Sequence, residues 1–321
     1  MVRRSDQPRT VLLTGASTGL GLEIARRLLA TPHRLILTAR PSSMPRFAAA
    51  GVTESERVHL RPLDVTSPAM RSEVIGEAYH RWGGVDVLIN NAGVSYRAVV
   101  EHVVEDERLE QMNVNFRSPM ELARLVLPGM RDRGGGHILT VSSVGGMMAM
   151  PTMAVYSASK FALEGACEAL WYEVRPWNIR VSLIEPGFIR SGSFERVRYT
   201  PMSRRSHDDD HDPYHAHYEH MGPFIARMMR GWLATPEWKV ARAVLRTMAD
   251  PTPPLRVLAT FDARLFDALR RFLPRRLYHW LLYRSLPSIS DWGSRPKTDF
   301  SGERLPEPRK SLTKPSPGQV S

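Results

Sequence analysis

Cysteine is almost absent: Cys167 stands alone in a chain of 321 residues. One thiol cannot build an internal disulfide framework, and its scarcity fits a reducing compartment. Long hydrophobic runs are missing as well. No stretch of eighteen apolar residues occurs, so no spanning helix is expected. The opening "MVRRSDQPRT" has basic residues but no apolar core behind them, so no secretory signal is expected and the chain reads as cytoplasmic, not secreted. Acidic charge is in deficit, with 33 Asp+Glu against 44 Lys+Arg and a net charge of +11. Such an excess suits an anionic partner, nucleic acid or lipid, or else reflects arginine scattered over a surface. Through the body of the chain basic and acidic residues alternate, which favours scatter and argues against nucleic acid.

What the sequence does contain is alternation. Short apolar runs at 10–17, 33–40, 57–65, 85–93, 136–143, 179–187 and 254–260 read as strands. Between them lie segments with helical spacing, such as Leu22, Ala25, Leu28 and Leu29, or Val74, Ala78 and Trp82. A long helix is expected over 107–131 and another over 155–174. Continuous apolar strands alternating with helices mean a parallel sheet covered on both faces. The expected fold is α/β: a Rossmann-type doubly wound sheet of about seven strands with a C-terminal helical extension. Its bounds are 10–262, after an N-terminal extension of 1–9. The polar, His- and Asp-rich stretch 203–222 has no apolar periodicity and reads as a loop, part of a substrate lid at about 190–230. Thr235 and Pro236 read as the N-cap and first residue of a helix. The amphipathic segment 263–286 is broken by Pro274, and 287–321, rich in Pro, Ser and Lys, reads as a disordered tail.

Two local patterns carry chemistry. "TGASTGLG" (14–21) places Gly15, Gly19 and Gly21 between the first strand and its helix, where backbone N–H groups can meet a pyrophosphate. "YSASK" (156–160) sets Tyr156 and Lys160 at i, i+4 on one helical face. A cation beside a phenol favours the phenolate and lowers its pKa.

With "LDV" (63–65), "NNAG" (90–93), "VNF" (114–116), "VSS" (141–143) and "PGFIRS" (186–191), the chain resembles the short-chain dehydrogenase/reductase family over residues 10 to about 260. "VGGMMAMPTMAVYSASKFALEGACEAL" is similar to its 17β-hydroxysteroid and retinol dehydrogenase branch. The resemblance implies a catalytic set of Asn115, Ser143, Tyr156 and Lys160. Tyr156 would trade a proton with the substrate oxygen. Ser143 would polarise that oxygen, with Ser142 as its neighbour and competitor. Lys160 would hold the nicotinamide ribose. Asn115, close to Asn113, would hold a water that completes a relay. Ser118 stands where the family pattern has glycine.

The same resemblance assigns the dinucleotide to Gly15, Ser17, Thr18, Gly19, Leu20, Gly21, Asp64, Val65, Asn91, Ala92, Gly93, Pro186, Gly187, Ile189 and Ser191, together with Tyr156 and Lys160. The end of the second strand selects the cofactor. "LTAR" puts Ala39 where an NAD enzyme usually has a carboxylate, and Arg40 follows, suited to a 2′-phosphate. NADP(H) is therefore expected over NAD(H). A homodimer or homotetramer is implied by resemblance.

Two further segments admit two readings each. His207, His211, His215, His217 and His220 with Asp208, Asp209 and Asp210 suit a metal or, preferred here, a solvated lid; no metal is expected. "RLFDALRRFLPRRLYHWLLYRSL" (264–286) suits an anionic membrane surface or a helix packed on the active-site rim. The Met-rich 145–153 can line an apolar pocket or simply pack. The function implied is an NADP(H)-dependent alcohol–carbonyl oxidoreductase acting on an apolar steroid-, retinoid- or lipid-like substrate, with a catalytically silent nucleotide-binding scaffold as the rival.

Overall fold

A computed structural model describes residues 8–190, 197–231 and 234–293. Seven strands form one sheet: β1 Thr10–Leu13, β2 Arg34–Ala39, β3 Val58–Pro62, β4 Val87–Asn90, β5 Gly136–Val141, β6 Ile179–Glu185 and β7 Arg256–Leu258. Their spatial order is β7-β6-β5-β4-β1-β2-β3, and every pairing is parallel. The order reverses between β1 and β4, and the crevice at the strands' carboxyl ends there is the ligand site of such sheets. The fold class and all seven strands stand where the sequence puts them.

Period two explains why these strands are apolar throughout. Leu12, Ile36, Leu88 and Ile138 point to one face, where α3 (Pro68–Trp82), α5 (Ser118–Asp132) and α6 (Ala154–Val174) cover them. Val11, Leu13, Leu35, Leu37, Val87 and Ile89 point to the other, beneath α1 (Gly19–Leu29), the short α2 (Pro45–Ala49) and α9 (Glu237–Ala249). Each fully buried Leu or Ile contributes about 1.5–3 kcal/mol, so both faces resist register slip.

Four local expectations change. The helix expected over 107–131 is two helices, α4 (Glu105–Met112) and α5, joined by a π-helical turn at Asn113–Arg117. The loop expected over 203–222 contains α7 (Pro201–Asp208) and α8 (His215–Arg230). Tyr218 anchors α8: its hydroxyl accepts from Val99 N–H at 3.0 Å and meets His102 Nδ1 at 2.8 Å. Such long-range anchors are invisible to local periodicity. α9 begins at Glu237, with Pro236 at the N-cap, because Thr235 and Pro236 pair with Ile189 and Arg190 as a short parallel ribbon. Pro274 separates α10 (Phe261–Phe272) from α11 (Arg275–Arg284), as its missing N–H requires. A short helical turn at Ile289–Asp291 falls within the expected tail, and residues 294–321 of that tail lie outside the described residues, as do residues 1–7 of the N-terminal extension.

Candidate active site

The glycine loop is built by close approach. Gly15 has φ +66°, and a Cβ on Gly21 would lie 2.0 Å from the Gly15 carbonyl oxygen and 2.5 Å from Asn91 Nδ2. No side chain fits there, which leaves backbone to face a ligand. Asn91 ties the loop to the end of β4: its Nδ2 donates to the carbonyls of Thr14 at 3.0 Å and Gly15 at 3.1 Å. Thr14 Oγ1 in turn accepts from the N–H groups of Asn91 at 3.0 Å and Ala92 at 3.1 Å. Thr18 is the N-cap of α1, and its hydroxyl makes no cap bond, leaving that helix start open to a ligand.

These residues line a cleft of about 530 Å³. Gly15, Ser17, Thr18, Leu20, Gly21, Arg40, Asp64, Val65, Asn91, Ala92, Gly93, Pro186, Gly187 and Ile189 border it, and so do Ser143, Tyr156 and Lys160. Gly19 is the first residue of α1 and does not border the cleft; its φ of +53° serves the turn. Ser191 lies outside the described residues. Arg40 is joined at the cleft by Arg46 and Ser43, which the sequence reading missed although Arg46 follows six positions on. Asp64 Oδ1 is engaged by Thr66, from its N–H at 2.9 Å and its hydroxyl at 2.7 Å.

Ser143, Tyr156 and Lys160 meet at the cleft floor. Ser143 is hydrogen-bonded with Tyr156, and Ser143 Oγ accepts from Gly145 N–H at 3.0 Å. Ser142 also borders the cleft, but it is buried and its Oγ lies against Gly146. Gly145, unremarked in the sequence, lets the Tyr156 ring close: a Cβ there would lie 3.0 Å from Tyr156 Cε1. Lys160 is buried, and its Nζ donates to the Val141 carbonyl at 3.0 Å. Its ammonium lies 5.9 Å from the Tyr156 ring centroid.

Electrostatics correct one expectation. Burial holds the Tyr156 phenol above its ordinary range, and only the Ser143 hydrogen bond pulls it down. Burial brings Lys160 down to about 8, against the charge of Glu164. In the cofactor-free site the phenol is therefore not acidified, because its burial outweighs the one interaction that lowers it.

Asn115 stands in the π-helical turn, 1 % exposed and away from the cleft lining. Its Oδ1 accepts from Val94 N–H at 2.9 Å, and its Nδ2 donates to Val94 O at 2.8 Å and to Ser159 Oγ at 3.0 Å. Ser159 passes the link to the Tyr156 carbonyl at 2.7 Å. The amide therefore braces the loop after β4 against α6. Ser118 supports the turn, its hydroxyl donating to Asn113 O at 2.7 Å. A π-turn inside a helix marks functional positions.

The opposite wall is apolar. Met150 and Met153, flagged by the sequence, are joined by Phe188, Ile225 and Met229, which the sequence reading did not single out. At the rim Arg198 pairs with Glu110 at 2.7 Å, and Tyr96 donates to the same carboxylate. Burial pushes Glu110 up, but those hydrogen bonds and the charges of Arg198 and Arg40 hold it below the usual carboxylate range. Among the described residues, no three His, Cys, Asp or Glu side chains converge to hold a metal.

The chain matches the short chain dehydrogenase family over residues 9–201, and it belongs to the short-chain dehydrogenase/reductase family. It is 35% identical over 202 residues to a 3-ketodihydrosphingosine reductase of Bacteroides thetaiotaomicron, covering 63% of this chain and 72% of that one. It is 33% identical over 274 residues to the 17-beta-hydroxysteroid dehydrogenase type 1 of Homo sapiens, covering 82% of this chain and 78% of that one. The steroid and retinol dehydrogenase branch is thus represented among its relatives. A short-chain dehydrogenase structure from Streptomyces avermitilis superposes with a TM-score of 0.70 at 29% identity, covering 87% of this chain and 98% of that one.

Proposed function

We propose that this chain is an NADP(H)-dependent oxidoreductase that interconverts an alcohol and a ketone or aldehyde on an apolar, steroid-, retinoid- or lipid-like substrate. One observation carries the reading: Ser143, Tyr156 and Lys160 share a single cleft with a glycine loop that a Cβ would fill and with a methionine-lined wall. The loop and its helix start fit a pyrophosphate, and Arg40 with Arg46 suits a 2′-phosphate by charge-assisted pairing. When bound, the nicotinamide supplies or accepts the hydride. Ser143 orients the substrate oxygen and stabilises its developing charge. Tyr156 gives that oxygen its proton in reduction and takes it back in oxidation. Lys160 stabilises the phenolate left behind and contacts the ribose. Asn115 holds α6 and the 91–95 loop in register for both. Among the described residues, 197–230 form the substrate lid. The active form is a cytoplasmic homodimer or homotetramer.

A substrate panel of sterol, retinoid and aliphatic carbonyls, run with NADPH and NADH in parallel, tests the reading. On a confirmed substrate Tyr156→Phe should lose about 10²–10⁴-fold in kcat while binding NADPH as the parent does. A variant as fast as the parent would sink the acid–base assignment. NADPH binding with no turnover across the panel would favour the silent scaffold.

The C-terminal helices support peripheral membrane contact. Their inner face, with Phe266, Leu269, Leu273 and Tyr278, packs on Val144, Met147 and Met148 beside the site. Their outer face exposes Phe272 (83%), Phe261, Trp280 and Tyr283 among Arg264, Arg270, Arg271, Arg275, Arg276 and Arg284. No helix among the described residues is long and apolar enough to cross a membrane. Phosphatidylserine vesicles should bind the protein in a salt-sensitive way; equal binding to neutral vesicles would exclude the basic face as the cause.

A further inference from the structure

Behind the catalytic lysine lies a buried charge cluster that the proposed mechanism does not use. Glu164 follows Lys160 by one helical turn on α6 and is 3% exposed, and Glu185 at the end of β6 is 1% exposed. Both meet one guanidinium, that of Arg256 on β7: Nη1 lies 2.7 Å from Glu185 Oε1 and also contacts Glu164 Oε2. Arg256 Nη2 reaches Glu168 at 2.9 Å, and Glu168 is about half exposed. Two buried carboxylates cannot both stay charged against a single shared cation without a large desolvation cost.

The cluster touches the catalytic segment from its far side. A Cβ on Gly146 would lie 2.9 Å from both Glu164 Oε1 and Ser142 Oγ, while one on Gly145 would meet the Tyr156 ring at 3.0 Å. Residues 142–146, which carry Ser143, are thus clamped between Glu164 and the catalytic tyrosine. The groups facing Lys160 are Tyr156, Glu164 and Cys167 from α6 and the Val141 carbonyl from β5, with Glu185 and Arg256 beyond Glu164. The Cys167 thiol is pushed up to about 12 by burial and stays neutral, which leaves Glu164 as the anion nearest the ammonium.

We propose that Glu164 is a positioning residue of the catalytic relay: with Glu185 and Arg256 it forms a buried carboxyl pair holding one proton, which keeps Lys160 cationic and seats the Ser143 segment against Tyr156. Burial, then the charge of Glu164, raises Glu185 to about 8 and favours the proton there. The consequence for catalysis rests on the dehydrogenase reading, but the test does not.

The chain has only five lysines, Lys160, Lys239, Lys297, Lys310 and Lys314. Lysine-labelled, cofactor-free protein therefore gives a resolvable NMR titration, with Lys160 assigned through Lys160→Arg. The parent Lys160 should titrate near 8. Glu164→Gln should lower that midpoint by about one pH unit or more, while Glu185→Gln, a mimic of the protonated acid, should leave it in place. On a confirmed substrate, the alkaline limb of kcat/KM in Glu164→Gln should move down with the lysine midpoint. A folded Glu164→Gln variant with an unmoved Lys160 midpoint overturns the proposal, and so does an equal shift in Glu185→Gln. Should Glu164→Gln fail to fold, infrared spectra of the parent decide: a protonated-carboxyl band at neutral pH that Glu185→Gln removes supports the shared proton, and its absence overturns it. Parent protein that shows the lysine shift without turning over any carbonyl sinks the dehydrogenase reading and leaves the cluster standing.

Discussion

On one wall of the cleft Gly15, Thr18, Gly21 and Ala92 present mainly backbone; on the other Met150, Met153, Phe188, Ile225 and Met229 present side chains. The first wall is rigid. A Cβ at Gly21 has no room, and Asn91 and Thr14 cross-link the two loops that form it. The second is assembled from the 147–153 turn, the end of β6 and α8, elements distant in sequence. Methionines make it adaptable, since thioether side chains fill irregular space in several rotamers. A ligand of fixed shape, such as a pyrophosphate, is met by main chain whose geometry cannot drift. A ligand of variable shape, such as an apolar substrate, is met by side chains that can repack.

That contrast breaks most sharply at Gly21. Gly21→Ala drives a methyl into the Gly15 carbonyl, an overpacking worth about 1–3 kcal/mol. The dinucleotide Kd should rise by roughly tenfold or more, with a lower Tm, seen by titration of NADPH fluorescence and by thermal melting. An unchanged Kd would mean that the first wall is not rigid. Arg40→Ala should act selectively. Losing one charge-assisted contact, about 1.5 kcal/mol, should weaken NADPH by roughly tenfold and leave NADH untouched; equal loss for both cofactors would remove Arg40 from the 2′-phosphate. Met229→Ala should be mildest. Substrate KM should rise by about fourfold, near 0.8 kcal/mol for a lost methylene contact, with NADPH affinity constant. A change in cofactor affinity would show that the two walls are one mechanical unit.

Some of the site is legible because its chemistry is local. Tyr156 and Lys160 lie one turn apart on any helix, and three glycines between a strand and a helix mean one kind of turn wherever they occur. The geometry of Asn115 was only half legible. Its position next to Val114 marks it, but the π-helical turn that holds it and the partners its amide reaches, Val94 and Ser159, depend on tertiary packing. The stripe of Tyr218, Met221 and Ile225 in α8 does have helical spacing. It was masked by the charged run before it, and it becomes stable only when Tyr218 reaches Val99 and His102. The acidity of Tyr156 was misjudged for a related reason: spacing reveals a neighbouring cation but not the burial that opposes it.

By itself the sequence determined the sheet, the glycine loop and the tyrosine–lysine pair, because each depends on interactions within a few residues or on a hydrophobic period the chain carries everywhere. Only the tertiary structure decided the methionine wall, the bracing of Asn115 and the Glu164–Glu185–Arg256 cluster. In each of these the partners are far apart along the chain, and their energies come from burial and from close approach of charges, quantities that exist only once the strands have been placed side by side.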